Sequence, residues 1–280
     1  PSDDLMSDRD IKSVEKIEII DLAKKPKLTY IGLGSGDTNL ITMEAVSAIA
    51  RADLLVCSED MKKRFGKYIG DKPVLFDAYD YVPPEVKKKN PDLSGKELER
   101  KIEDGRVEMA DRIKTKLKEG YNVAILEYGD PTIWSGSEYI MEHFPDEMIE
   151  IVPGLSSFNV ANALIKGHTG CKGSILLATS KGILNNATLY KAAAKKGETL
   201  CVFMAMHDLP ELTKFFKDSY KSDTPVKLVY RAGYSGSEKV IETDINNFKD
   251  IIMKETEKNL FLVYIGPCLE SAMAHRNRMD

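Results

Sequence analysis

The sequence predicts an α/β protein of two domains, the first built on a parallel sheet and the second on a mixed one. Three observations carry that prediction. Short unbroken apolar runs alternate with helical patterns as far as Val152, as in a parallel sheet covered by helices on both faces. The texture then changes at Pro153. Beyond it, candidate strands at 226–231 and 239–243 are separated only by Ala232 to Glu238, short enough for a hairpin, so the second sheet is expected to be partly antiparallel. Two different sheets within 280 residues imply two domains. The expected division is an N-terminal extension over 1–27, an N-terminal α/β domain over 28–153 and a C-terminal α/β domain over 154–280.

The elements follow in order. Residues 1–27 are polar, and only 14–20 alternate enough for an added edge strand. A strand is expected at 28–31, running into the turn Gly32-Leu33-Gly34-Ser35-Gly36-Asp37. A helix over 43–52 has Thr42 placed to cap it, with Val46, Ile49 and Ala50 on one face. Runs at 54–57 and 74–76 read as further strands, and the Lys- and Pro-rich stretch 83–92 as an exposed loop. Ser94 and Glu97 have capping-box spacing, and Leu98, Ile102, Met109, Ile113 and Leu117 recur at helical intervals until Gly120. Runs at 123–126 and 149–152 bring the first sheet to about five strands. Strands of the second sheet are expected at 175–179, 200–205, 226–231, 239–243 and 260–265.

Composition removes several function classes. A net charge of −4 argues against wrapping a nucleic-acid backbone, and no apolar run approaches the ~20 residues that span a bilayer. Cys57, Cys171, Cys201 and Cys268 are scattered with no C-x-x-C pair, so reduced thiols in a cytoplasmic protein are expected. His143, His168, His207 and His275 lack metal-ligand spacing, and no metal is expected.

Ligands of parallel α/β sheets bind beyond the carboxyl ends of the strands. Three unusual turns belong there: Gly32–Asp37, then Tyr128-Gly129-Asp130-Pro131-Thr132-Ile133-Trp134, then Pro153-Gly154-Leu155-Ser156-Ser157. Glycine lets the backbone approach a ligand and offer bare N–H groups to it. The first turn is not a dinucleotide fingerprint, because Asp37 stands where the third glycine belongs and Asp53 begins the second strand rather than ending it.

Taken in order, GLGSGDTNLIT, YGDPTIW, IEIVPGLSS, TLCVFMAM, TPVKLVYRAG and FLVYIG resemble the tetrapyrrole (corrin/porphyrin) methylase family over roughly residues 28–268. The stretch 224–244 looks most like the precorrin-4 methylases, which alkylate ring carbon 11. The resemblance implies S-adenosyl-L-methionine bound in a cleft between two α/β domains, usually in a homodimer, and C-methylation of a tetrapyrrole in corrinoid synthesis. Carried over by motif, the cofactor contacts would be Tyr128, Gly129, Asp130 and Ile133, Ser156 and Ser157, Met204, and Ala232. Ser35, where the family usually has proline, would join them. Asp37 is the candidate for catalysis through substrate positioning, with His207 a weaker one, and Trp134 would either stack on a macrocycle or fill the domain seam. Such a reaction needs no oxyanion hole, because holding the carbon in line with the methyl group in a dry site supplies most of the acceleration.

Two departures qualify the resemblance. The acid and base of the uroporphyrinogen methylases are replaced by Ser58 and approximately Ala78, which counts against that substrate. The fold also allows a methyltransferase acting on a protein, peptide or RNA, and the departures at Ser35 and Ser58 leave room for a binder of tetrapyrrole or cofactor without turnover. The Lys87–Lys89 run is the feature that keeps RNA in consideration.

Overall fold

A computed structural model describes residues 26–166, 169 and 173–269. The edge strand expected at 14–20 lies outside them, as do His168, His275 and Cys171.

Strands β1 (Leu28–Gly32), β2 (Leu54–Val56), β3 (Val123–Glu127) and β4 (Ile149–Val152) form an all-parallel sheet in the order β2-β3-β1-β4. The unbroken apolar runs have the expected cause. In β3, Val123 and Ile125 face one core with Met109, Ala110 and Ile113 of the helix Gly95–Lys118. Ala124 and Leu126 face the other, with Ala45, Ala48 and Ile49 of the helix Met43–Arg51. Both faces are covered, so neither can alternate with polar residues.

The second sheet takes β5 (Ile175–Thr179), β6 (Thr199–Phe203), β7 (Pro225–Tyr230), β8 (Lys239–Asp244) and β9 (Phe261–Ile265) in the order β5-β6-β9-β7-β8. Only the β5–β6 pair is parallel; β7 and β8 form the expected hairpin, with Tyr230 opposite Lys239. One face packs on the helices Leu209–Ser219 and Phe248–Lys254. The other meets the helix Ser157–Leu164, which leaves the end of β4 and crosses to pack Ala161 against Val229, Leu262 and Tyr264. The chain thus passes from one sheet to the other between Val152 and Ser157.

Several local expectations are corrected. Residues 74–76 make a single bridge, Leu55 to Val74, before Asp77 caps a short helical turn, so the first sheet has four strands rather than five. The 83–92 stretch contains a helix, Pro83–Lys89, because proline is at home in a first turn. Thr42 does cap its helix, accepting from the Ala45 N–H at 3.1 Å, but the buried face is Ala45, Ala48 and Ile49, with Val46 only half-buried. Ser94 precedes the long helix without making a side-chain cap. Cys57 and Cys201 are free and buried, whereas Cys268 is disulfide-bonded, against the expectation of reduced thiols throughout. No helix among the described residues is long and apolar enough to cross a membrane.

Ile125, fully buried in the central part of the first sheet, tests the two-faced core. Ile125→Ala is expected to cost about 2–5 kcal/mol by leaving a cavity, measured by urea denaturation followed by circular dichroism.

Candidate functional site

The three turns meet at the carboxyl edge of the parallel sheet, and glycine is what lets them meet. A Cβ on Gly32 would stand 2.6 Å from Gly154 N and 2.8 Å from Gly129 O, and one on Gly154 would stand 2.2 Å from Gly129 O. Gly34 and Gly129 exchange both backbone bonds, at 3.2 and 2.9 Å. Three backbones are therefore stacked with no room for a side chain between them.

The same edge is fastened to the second sheet by the loop that follows β7. Asp37 N–H donates to Gly233 O at 2.6 Å, and Ser235 N–H donates to Asp37 Oδ2 at 3.0 Å. The Ser35 hydroxyl donates to Ala232 O at 3.0 Å. Gly36 and Gly233 lie so close that a Cβ on Gly36 would fall 2.1 Å from Gly233 carbonyl atoms. Arg64 donates to Gly36 O, and its guanidinium stands 4.5 Å from the Tyr234 ring centroid. Hydrogen bonds from Ser235 hold the Asp37 carboxyl below the usual range.

Between these walls lies a cavity of about 470 Å³. From the first turn Ser35 lines it; from the second, Tyr128, Gly129, Asp130 and Ile133; from the third, Ser156 and Ser157; from the second sheet, Met204 and Ala232. The expected contacts thus share one cavity. Asp130 shapes its own turn, accepting from Thr132 N–H at 2.9 Å and the Thr132 hydroxyl at 2.7 Å. Ser156 and Asn159 form a capping box on the helix Ser157–Leu164, turning that helix start toward the cavity.

Trp134, Met204 and Arg231 also line the cavity, with φ of 53°, 54° and 51°. Lys166 is the one other non-glycine residue with positive φ among the described residues. Such backbone costs about 1–3 kcal/mol per residue, and it gathers here at the ends of β6 and β7 and in the loop after β3. Trp134 and Met204 remain 42% exposed, so their apolar surfaces are open to a ligand. The Trp134 ring leans on Phe203 across the cleft, centroids 4.8 Å apart. It therefore meets the second sheet and still presents free surface.

Not every candidate converges. Asp37 does not line the cavity, and its carboxylate is engaged in the link to Ser235. His207 lies beyond the lining too, its backbone N–H turned back to Met204 O. Ser58 caps the helix Glu59–Arg64 by accepting from Met61 N–H, and Ala78 is buried in the core. Sequence reasoning missed Asp60, whose carboxylate lines the cavity and accepts from the Tyr128 hydroxyl. Burial first, and then that bond, push the Tyr128 hydroxyl pKa up. It also missed the wall from Asn259 to Leu262, where β9 begins; the FLVYIG motif marks the strand, but its place at the cavity depends on strand order.

The model of the Tetrapyrrole (Corrin/Porphyrin) Methylases matches residues 27–249. Among curated proteins, the chain is 24% identical to a cobalt-precorrin-4 C(11)-methyltransferase of Methanocaldococcus jannaschii, covering 87% of this chain and 88% of that protein. It is 25% identical to a precorrin-4 C(11)-methyltransferase of a Sinorhizobium species, covering 87% and 90%. A uroporphyrinogen-III C-methyltransferase of Priestia megaterium matches at 24%, covering 86% and 97%. Among solved structures, a cobalt precorrin-4 methyltransferase superposes with a TM-score of 0.68 at 21% identity, covering 88% of this chain and 96% of that one. The Thermus thermophilus uroporphyrin-III C-methyltransferase complexed with S-adenyl homocysteine gives 0.59 at 15%, covering 87% and 99%. These structural likenesses are likenesses of fold.

Two outcomes test the geometry. Gly36→Ala and Gly236→Ala both place alanine at positive φ, but a Cβ at Gly236 meets nothing within 4 Å. Gly236→Ala should cost about 1–2 kcal/mol, and Gly36→Ala clearly more because the two loops must part; thermal unfolding ranks them. The second concerns pH. Since the folded Asp37 pKa is depressed, its stabilisation is complete above the ordinary carboxyl value of about 3.9 and is lost as pH falls through the lower folded value. The Ser235 amide resonance should therefore titrate with a midpoint below about 3.9.

Proposed function

The chain belongs to the tetrapyrrole (corrin/porphyrin) methylase family, and on that premise we propose that it transfers a methyl group from S-adenosyl-L-methionine to a ring carbon of a precorrin or cobalt-precorrin. One observation carries most of the weight. The nine positions expected to touch the cofactor come from both halves of the chain and line a single cavity.

The cavity suits such a cofactor. Its volume lies within the usual range for small-molecule sites, about 300–1,000 Å³. Glycine backbone beside Ser156 and Ser157 offers polar partners for a charged amino-acid tail, while Met204, Phe203 and Leu262 offer an apolar wall for a purine. When bound, the cofactor supplies an electrophilic methyl group on a sulfonium. The protein's share is to hold the acceptor carbon in line with it and to keep water out. Trp134 and Leu260, both more than two-fifths exposed along the cavity, would form the apolar ledge for a macrocycle.

Proton handling falls to Asp60 in this scheme. Of the two carboxylates lining the cavity, Asp130 is committed to its own turn through both Thr132 bonds, whereas Asp60 accepts from the Tyr128 hydroxyl and has the Arg64 charge near it. The Asp60 carboxylate would take up a proton released after C-methylation. Asp37 serves as a link between the sheets rather than as a base. Ser58 and Ala78 favour a precorrin over uroporphyrinogen, in keeping with the two precorrin-4 C(11)-methyltransferases among the relatives. The family resemblance also carries a cytoplasmic homodimer, and exposed Ile151 in the edge strand β4 and Leu155 just after it offer apolar surface for a second copy.

Calorimetry should give micromolar affinity for S-adenosylmethionine and S-adenosylhomocysteine; no binding would remove the methyltransferase assignment. Labelled cofactor with a panel of precorrins should put the methyl group on a macrocycle by mass spectrometry. Label on a protein, peptide or RNA instead would select a different acceptor, and binding without transfer to any acceptor would leave a binder. Asp60→Asn should lower kcat about 10²-fold while leaving S-adenosylhomocysteine affinity unchanged, read by steady-state kinetics and calorimetry.

A further inference from the structure

Behind the cleft lies a buried acid that the scheme above does not use. Glu127, the last residue of β3, is 1% exposed. Among the described residues no lysine or arginine forms a salt bridge with it. Its charge is met by donors instead. The Tyr79 hydroxyl reaches Oε2 at 2.5 Å, and Oε1 accepts from the Ser135 hydroxyl at 2.8 Å, the Ser137 N–H at 3.0 Å and the Ser137 hydroxyl. Hydrogen bonds to an ionised acceptor are the strong kind, and four of them offset a desolvation that would otherwise be prohibitive.

The placement of those donors is informative. Three of the four lie in the segment 135–137, directly after Trp134. Gly136 is pressed against the Tyr79 ring, where a Cβ would fall 2.5 Å from Cε1. The carboxylate thus ties both ends of one short segment to Tyr79 and to β3. Trp134, at φ 53° and against Phe203, is the residue that this tie leaves no freedom to relax. A core position alone would be filled at less cost by an apolar side chain, as the preceding Val123, Ala124, Ile125 and Leu126 show.

We propose that Glu127 is a positioning residue that sets the acceptor side of the cleft by fixing Trp134 through Ser135, Ser137 and Tyr79. The acceptor's identity in this statement rests on the proposed function; the positioning of Trp134 does not. Specificity toward a broad planar acceptor then depends on a buried acid that does not line the cavity.

Trp134 is the sole tryptophan of the chain, so its emission reports on this segment directly. Glu127→Gln, Tyr79→Phe and Ser135→Ala are compared with wild type for Trp134 emission and for affinity toward two probes, uroporphyrin and S-adenosylhomocysteine. The folded variants should shift the emission maximum and weaken uroporphyrin about 3- to 10-fold, one hydrogen bond's worth, with S-adenosylhomocysteine affinity within about two-fold of wild type. A merely structural Glu127 would lower the melting temperature and leave emission and uroporphyrin affinity in place, and that result overturns the proposal. Should Glu127→Gln fail to fold, Tyr79→Phe and Ser135→Ala decide, since each leaves three of the four bonds. A wild-type protein that binds no uroporphyrin and methylates no precorrin would count against the proposed function, and the emission shift alone would then judge Glu127.

Discussion

The contact on which this structure most depends is made of backbone alone: Gly36 against Gly233, where the first turn of the parallel sheet meets the loop after β7. The bonds beside it, from Asp37 N–H to Gly233 O, from Ser235 N–H to Asp37 and from Ser35 to Ala232, run between segments almost two hundred residues apart in sequence. They hold two separately cored sheets edge to edge. The cavity is the space that remains beside this link.

Around that link the fold concentrates its local cost. Three side-chain-bearing residues in the left-handed region line the cavity, Met204 and Arg231 directly after β6 and β7 and Trp134 in the loop that follows β3. Strain of this kind persists only where the surroundings over-determine it. Here they do so in different ways: Phe203 and the segment after it hold Trp134, while Arg231 is fixed by Ser237 at 3.0 Å and Glu257 at 3.2 Å. The stable cores thus support a rim that could not adopt its shape alone.

Much of this was legible in the sequence, for identifiable reasons. Strands buried on both faces are largely apolar, so the cores of β1, β2 and β3 announced themselves, and a seven-residue connection was short enough to make a hairpin of β7 and β8. The glycine turns were legible because only close backbone approach calls for so many glycines at strand ends. What escaped shares a different character. Asp60 lies on an ordinary charged helix, and only the folding back of Tyr128 gives it a place in the cavity. The partners of Glu127 are 48, 8 and 10 residues away, so nothing local marks that acid as buried. The stretch 74–76 has strand composition, but the turn at Asp77 ends its pairing after one bridge.

The stack of Gly32, Gly129 and Gly154 has a consequence for how such a protein can change over time. Its shape is written in atoms that every amino acid shares, with side chains excluded from the joint altogether. Neighbouring positions such as Ile133 and Ser157 can therefore be exchanged without unseating the frame that carries them. A lineage can alter what enters its cleft while inheriting the cleft itself unchanged.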